Sequence, residues 1–182
     1  MNALLKVFRI LAIIPLLLSG CAMLPAQTGE KERAASNSAV YESILGKPVN
    51  DHIVADFVAS NQCSSADQFL LCETVGMALW TDSNQVVETV YLYLNNADGF
   101  EPYKGELPFG LKFYDNMAAV EYKLDRQGMG TAGRPDKVAV PDHMHYQATY
   151  RQAGMTIIYN YPFADEDATI HAIVMHDKKR PG

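Results

Sequence analysis

Residue patterns that announce catalysis are scarce in this 182-residue sequence. It has no Gly-x-Ser-x-Gly elbow to expose a nucleophilic serine, no phosphate-cradling loop and no His-Glu-x-x-His zinc helix. Gly128-Met129-Gly130 lacks the strand-to-helix setting of a dinucleotide turn and reads as a flexible connection. Asp165-Glu166-Asp167 lacks the spacing and the glycine of a calcium loop and reads as a charged turn. A non-catalytic chain without a cofactor or metal is the expectation.

Basic residues are also in deficit, 15 Lys and Arg against 21 Asp and Glu. If residues 1–20 are removed, two basic residues and no acidic one go with them, leaving a net charge of −8. Such a balance excludes the basic footprint that nucleic acid requires and permits a basic protein partner. Cysteine is limited to three residues, Cys21, Cys63 and Cys72. No Cys-x-x-Cys pattern suggests a metal or redox pair, so Cys63 and Cys72 are expected to form a disulfide in an oxidising compartment.

Long apolar runs are missing as well. Ile10 to Leu18 is too short to cross a bilayer. Preceded by Lys6 and Arg9 and followed by Leu18-Ser19-Gly20-Cys21, it reads as a secretory signal over residues 1–20. This run resembles the lipobox of bacterial lipoproteins, in which the cysteine thiol accepts a diacylglyceryl group. The resemblance implies cleavage before Cys21 and a lipid anchor, worth roughly 0.8 kcal/mol per buried CH₂. With Ala22 rather than aspartate next, it further implies the outer membrane, facing the periplasm. Residues 21–40 are rich in small and charged residues and read as a tether. Residues 41–182 are the expected domain.

Two stretches of that domain follow one plan. Asp51 to Ser60 predicts a helix capped by Asp51, with Ile53, Val54, Phe57 and Val58 on one face. Strand-like runs follow at Gln68–Glu73, Val75–Thr81 and Gln85–Leu94, the last two joined by a turn at Thr81-Asp82-Ser83-Asn84. Tyr114 to Asp125 predicts a second helix, capped by Asp115, with Met117, Val120, Tyr122 and Leu124 as its apolar positions. A loop from Gly128 to Pro141 then leads to runs at His143–Arg151, Met155–Tyr161 and Ala168–His176, with a hairpin turn at Gln152-Ala153-Gly154. Gly46 and Gly110 stand five residues before the two expected caps. The expected fold is α+β: two αβββ repeats, about 41–97 and 107–177, with helices packed on one face of an antiparallel sheet.

This unit resembles that of the β-lactamase inhibitor proteins and of the small lipoprotein of the outer-membrane β-barrel assembly machine. Val120, Leu124 and Gly133-Arg134-Pro135 echo a Val…Leu-Gly-x-Pro pattern of such units, although Asp125 to Ala132 intervenes. The segment Asp98-Gly99-Phe100 through Leu107-Pro108-Phe109-Gly110-Leu111 is similar to a linker in toxin-neutralising immunity proteins. The resemblance implies a protein partner gripped by the sheet.

Tyrosine is the abundant aromatic, ten residues against the single Trp80. Strand alternation puts Tyr91 with Tyr93, Tyr146 with Tyr150, and Tyr159 with Tyr161 on common faces. Tyrosine combines an apolar body, a hydrogen-bonding tip and few rotamers, so these six are the expected partner-binding residues. His143 and His145 also share a strand face, with His171 or His176 near enough in the plan to join a metal site; a solvated or partner-facing pair is the expectation. The functional expectation is a lipid-anchored periplasmic lipoprotein that neutralises a toxin or wall-active enzyme by occlusion, the alternative being a structural subunit of an outer-membrane assembly.

Overall fold

The computed structural model describes residues 40–94, 99–130, 136–140, 143–160 and 168–178, with residues 136–144 described by their backbone alone. The predicted leader and tether up to residue 39, with Cys21, lie outside the described residues, as do Tyr161 and Asp165–Asp167. The fold is α+β, built on one antiparallel sheet, as the residue pattern predicts.

A short helix α1 (Val40–Ile44) precedes α2 (His52–Ser60). Asp51 caps α2 as expected, its carboxylate accepting the Ile53 amide at 3.0 Å and the Lys47 ammonium at 3.1 Å. Val54 and Phe57 are buried, and Ile53 and Val58 pack beside them, so the predicted face is the core face.

Four strands follow where three were expected: β1 (Ser64–Ala66), β2 (Phe69–Cys72), β3 (Met77–Thr81) and β4 (Val87–Tyr93). The extra strand β1 lies in the polar Cys63-Ser64-Ser65 stretch, which carries no hydrophobic alternation. Its pairing with β2 puts it on an edge, all three residues exposed. The Cys63–Cys72 disulfide ties this edge to the buried end of β2. The β3–β4 turn is held by Asp82, whose Oδ1 accepts the amides of Asn84 at 2.9 Å and Val86 at 2.8 Å.

Helix α3 (Met117–Asp125) begins three residues later than Tyr114 and is capped by Asn116, not Asp115. The Asn116 side chain accepts the Ala119 amide at 2.9 Å. Asp115 is instead buried one residue earlier, accepting the Lys112 amide and the Lys123 ammonium, each at 2.7 Å. Val120 and Leu124 are fully buried, whereas Tyr122 is 63% exposed. Met117, Val120 and Leu124 follow the i, i+3, i+7 stripe, and Tyr122 falls off it.

The second half again has four strands: β5 (Asp136–Val140), β6 (His143–Tyr150), β7 (Met155–Tyr159) and β8 (Ile170–His176). β5 lies within the expected Gly128–Pro141 loop, whose glycines and prolines mask a short edge strand. The sheet order is β1-β2-β3-β4-β8-β7-β6-β5, so β4 and β8 meet at its centre. Between β2 and β3, and again between β6 and β7, one 3-10 turn closes on a left-handed glycine, Gly76 and Gly154. At Gly76 an added Cβ would strike the backbone of Glu101 and Tyr103, so glycine is required by contact as well as by φ.

Leu79, Val90, Ile173 and Ile157 from one face of the sheet form a single core with Tyr41, Phe57, Val120 and Leu124 of the helices. The linker before α3 enters the same core through Tyr103, Leu107 and Leu111.

Replacing both Cys63 and Cys72 by serine is expected to cost about 2.5 kcal/mol, the loop-closure value for so short a loop. A lowered urea midpoint with an almost unchanged denaturant slope would check this.

Candidate functional site

Pairing register decides which tyrosines meet solvent. Leu79 pairs with Val90, and Leu92 with Ile173, on the core face. The alternate pairs therefore lie on the opposite, open face: Phe69 with Trp80, Ala78 with Tyr91, and Tyr93 with Ala172. Tyr91 and Tyr93 occupy this face half-buried, where strand alternation placed them together.

The other described tyrosines do not join them. Tyr146, Tyr150 and Tyr159 are 7%, 1% and 0% exposed and belong to the core. The Tyr150 hydroxyl donates to Glu121 Oε1 and lies 3.3 Å from the Tyr159 hydroxyl, so both rings carry a polar connection beneath α3. Burial pushes the Tyr150 hydroxyl up to about 12, and raises that of Tyr159 further. A tyrosine needs a partner for its buried hydroxyl, and here the partners are internal. Alternation shows that two rings share a face, but not which layer covers it.

The open face has a defined anatomy. Phe69, Tyr91, Tyr93 and Phe100 form a row, with centroid spacings of 6.0, 6.3 and 4.3 Å. The Tyr91–Tyr93 and Tyr93–Phe100 rings are each within 16° of parallel. Their faces are turned to one another, and Phe100 at the end of the row is buried. Phe100 comes from the linker, which the β2–β3 turn and the end of β4 pin through Glu101 N–H to Glu73 O and Tyr103 N–H to Tyr93 O, both 2.9 Å. Sequence alternation gave no sign of Phe100 or Phe69 in this row. From Phe100 onward this linker turns Phe100, Tyr103, Leu107 and Leu111 into the body and leaves Glu101, Lys104 and Glu106 exposed.

Beside the row, β8 contributes Ala172 and Val174, and the face steps down to small side chains. Beyond them lie Thr156 and Ile158 of β7, then His145, Gln147 and Thr149 of β6. No Asp, Glu, Lys or Arg takes a paired position on this face in β1–β4 or β6–β8. On β5, Asp136 pairs with Gln147 and so shares this face.

Of the histidines singled out, the structure brings His145 to His171, with centroids 4.5 Å apart. His143 is described by its backbone alone, which pairs with Val140. His176 stands apart from the pair, its Nε2 3.0 Å from Thr156 Oγ1, which in turn lies 3.3 Å from Thr149 Oγ1. Among the described residues no three His, Cys, Asp or Glu gather as a metal cluster. Neither a protein-family model, a curated protein nor a solved structure matches the chain.

Burial holds the His176 imidazole below its ordinary value of 6.5. Between that lowered value and 6.5 the unfolded chain binds the proton more readily. The stability that neutral His176 contributes is therefore complete above 6.5 and declines as pH falls toward the folded value. His176→Gln is expected to flatten that decline, measured as urea midpoints between about pH 7.5 and about pH 5.

Proposed function

We propose that the chain is a lipid-anchored envelope lipoprotein whose open sheet face grips a protein target, a toxin or wall-active enzyme, and neutralises it by occlusion. The observation that carries this reading is the aromatic row on the open face. Part-exposed Phe69, Tyr91 and Tyr93, amid threonine, glutamine and histidine, have the aromatic enrichment of an interface core. Rings stacked on each other offer edges rather than faces. That suits a protein surface better than a sugar ring, which stacks on exposed aromatic faces.

The role is one of binding, not catalysis. The leader and Cys21 place the lipid and the tether upstream of the domain, and Ala22 favours the outer membrane with the domain in the periplasm. The net charge of −8 left when residues 1–20 are removed accelerates encounter with a basic target.

The two halves are read as copies of one unit, a helix followed by a four-strand meander. The mirrored strand order supports this reading. So do the matched 3-10 turns ending on Gly76 and Gly154, and the positive φ of Gly46 and Gly110, +74° and +69°. Joining two such units side by side gives one face wide enough to cover an active site.

Two experiments test the proposal. Palmitate is expected to label the full chain in cells and to be lost from Cys21→Ser. The full chain is then expected to abolish a soluble enzyme's activity at one-to-one ratio. Tyr91→Ala and Tyr93→Ala should each weaken inhibition by about 30-fold, the effect of about 2 kcal/mol at an aromatic hot spot. Co-purification with membrane-assembly subunits, with no enzyme inhibited, would replace the inhibitor reading by that of a structural subunit.

A further inference from the structure

Among the described residues two large aromatic side chains stand out in solvent, Tyr114 at 78% exposure and Tyr122 at 63%. With Ala118 and Arg126, also exposed, they recur at every fourth residue from just before α3 to its end. Four residues advance a helix by little more than one turn, so Ala118, Tyr122 and Arg126 form one stripe. Val120 and Leu124 hold α3 to the core from its other side, so the stripe faces away from the sheet.

Neighbouring charges are mostly turned elsewhere. Glu121 Oε1 accepts the buried Tyr150 hydroxyl, and Lys123 Nζ donates to the buried Asp115. Arg126 stays with the stripe, donating from Nη1 to the Tyr122 hydroxyl at 3.4 Å, its guanidinium carbon 5.7 Å from the ring centre. Lys112 is exposed near Tyr114, and Asp125 at the stripe's margin.

The chain enters the domain on this same side. α1 begins at Val40 and buries Tyr41 and Ile44 in the core that Val120 and Leu124 share. It lies beside the linker: burial first, then Glu42 and Glu106, push the Tyr41 hydroxyl up to about 12. The linker in turn is fastened to α3, Gln127 donating to the Phe109 carbonyl at 3.0 Å and Lys123 to that of Gly110 at 3.2 Å. Entry point, linker and stripe therefore belong to one continuous layer, opposite the open sheet face.

We propose that the surface bearing Tyr114, Tyr122 and Arg126 rests on the bilayer, so that the open sheet face points away from the membrane. This rests on the lipid-anchor reading and extends it. A flexible tether over residues 21–39 spans about 25 Å on average. A globular domain of this length is about 37 Å across. The tether is the shorter of the two, so the side carrying Val40 is the side held toward the lipid. Two tyrosines bury at most about 500 Å² between them, short of the roughly 800 Å² that each partner commits to a standard protein interface. A bilayer contact needs no such area, because the anchor already supplies a high local concentration. Tyrosine rings settle at headgroup level, and a guanidinium matches the geometry of a lipid phosphate.

The test uses the acylated chain purified from cells, in phosphatidylethanolamine–phosphatidylglycerol vesicles brominated on the acyl chains near the headgroups. Trp80, on the open face, is the internal reference. In Tyr122→Trp the added emission is expected to lose about half its intensity to bromine, with Trp80 unquenched in the unsubstituted chain. A double variant, Tyr114→Ser with Tyr122→Ser, should tumble faster by the anisotropy decay of Trp80 while its acyl group stays in the vesicle. Quenching of Trp80 instead, quenching at neither position, or unchanged tumbling would overturn the proposal and leave the anchor standing. Mass spectrometry of the same chain reads the acyl group separately, and its absence would overturn the anchor and the bilayer contact together.

Discussion

The β4–β8 pairing is the contact on which the rest of the structure depends. Thr89 to Tyr93 run antiparallel to Ala172 to His176, joining segments some 80 residues apart into the middle of one sheet. Neighbouring strands elsewhere in the sheet are joined by short, local connections. Without this seam, each meander would expose β4 or β8 as a free edge, and an unpaired apolar edge is a template for aggregation. With it, the seven-residue β4 and β8 lie at the centre, and the free edges fall to β1 and β5, of three and five residues. The seam also brings Val90 and Leu92 against Ile173 and Met175, merging two small cores that would each be marginal alone.

The same seam shapes the open face. Tyr91 and Tyr93 stand directly beside Val174 and Ala172, so the aromatic row borders a strip of small side chains supplied by the other half of the chain. The two sides of the seam thus differ in chemistry, one bearing rings and the other imidazoles, hydroxyls and an amide. A partner crossing the seam would meet both. The helices close only the other face, and the linker through Phe100 and Tyr103 ties the row to the core at one end.

Much of the plan was legible in the residue pattern because it rests on local physics. The α2 cap at Asp51, the stripe of Val54 and Phe57, and the Asp82 turn all arise from interactions within a few residues, and each lies where expected. The errors are equally instructive. β1 and β5 escaped notice because an edge strand needs no hydrophobic alternation, only a neighbour's amides and carbonyls. Asp115 and Asn116 are both good caps. Asn116 took the role because Lys112 and Lys123 claim the Asp115 carboxylate.

The sequence by itself determined the acidic balance, the disulfide partners, the α+β class and which tyrosines of a strand stand side by side, because composition, covalent reach and strand alternation are properties of the chain. Only the tertiary structure decided which side the helices would cover. That choice buried Tyr146, Tyr150 and Tyr159 and left Tyr91 and Tyr93 on the open face. It also decided that His145 would meet His171 rather than His176, because a register shift between β7 and β8 is set by pairing across the sheet and leaves no trace in either strand alone.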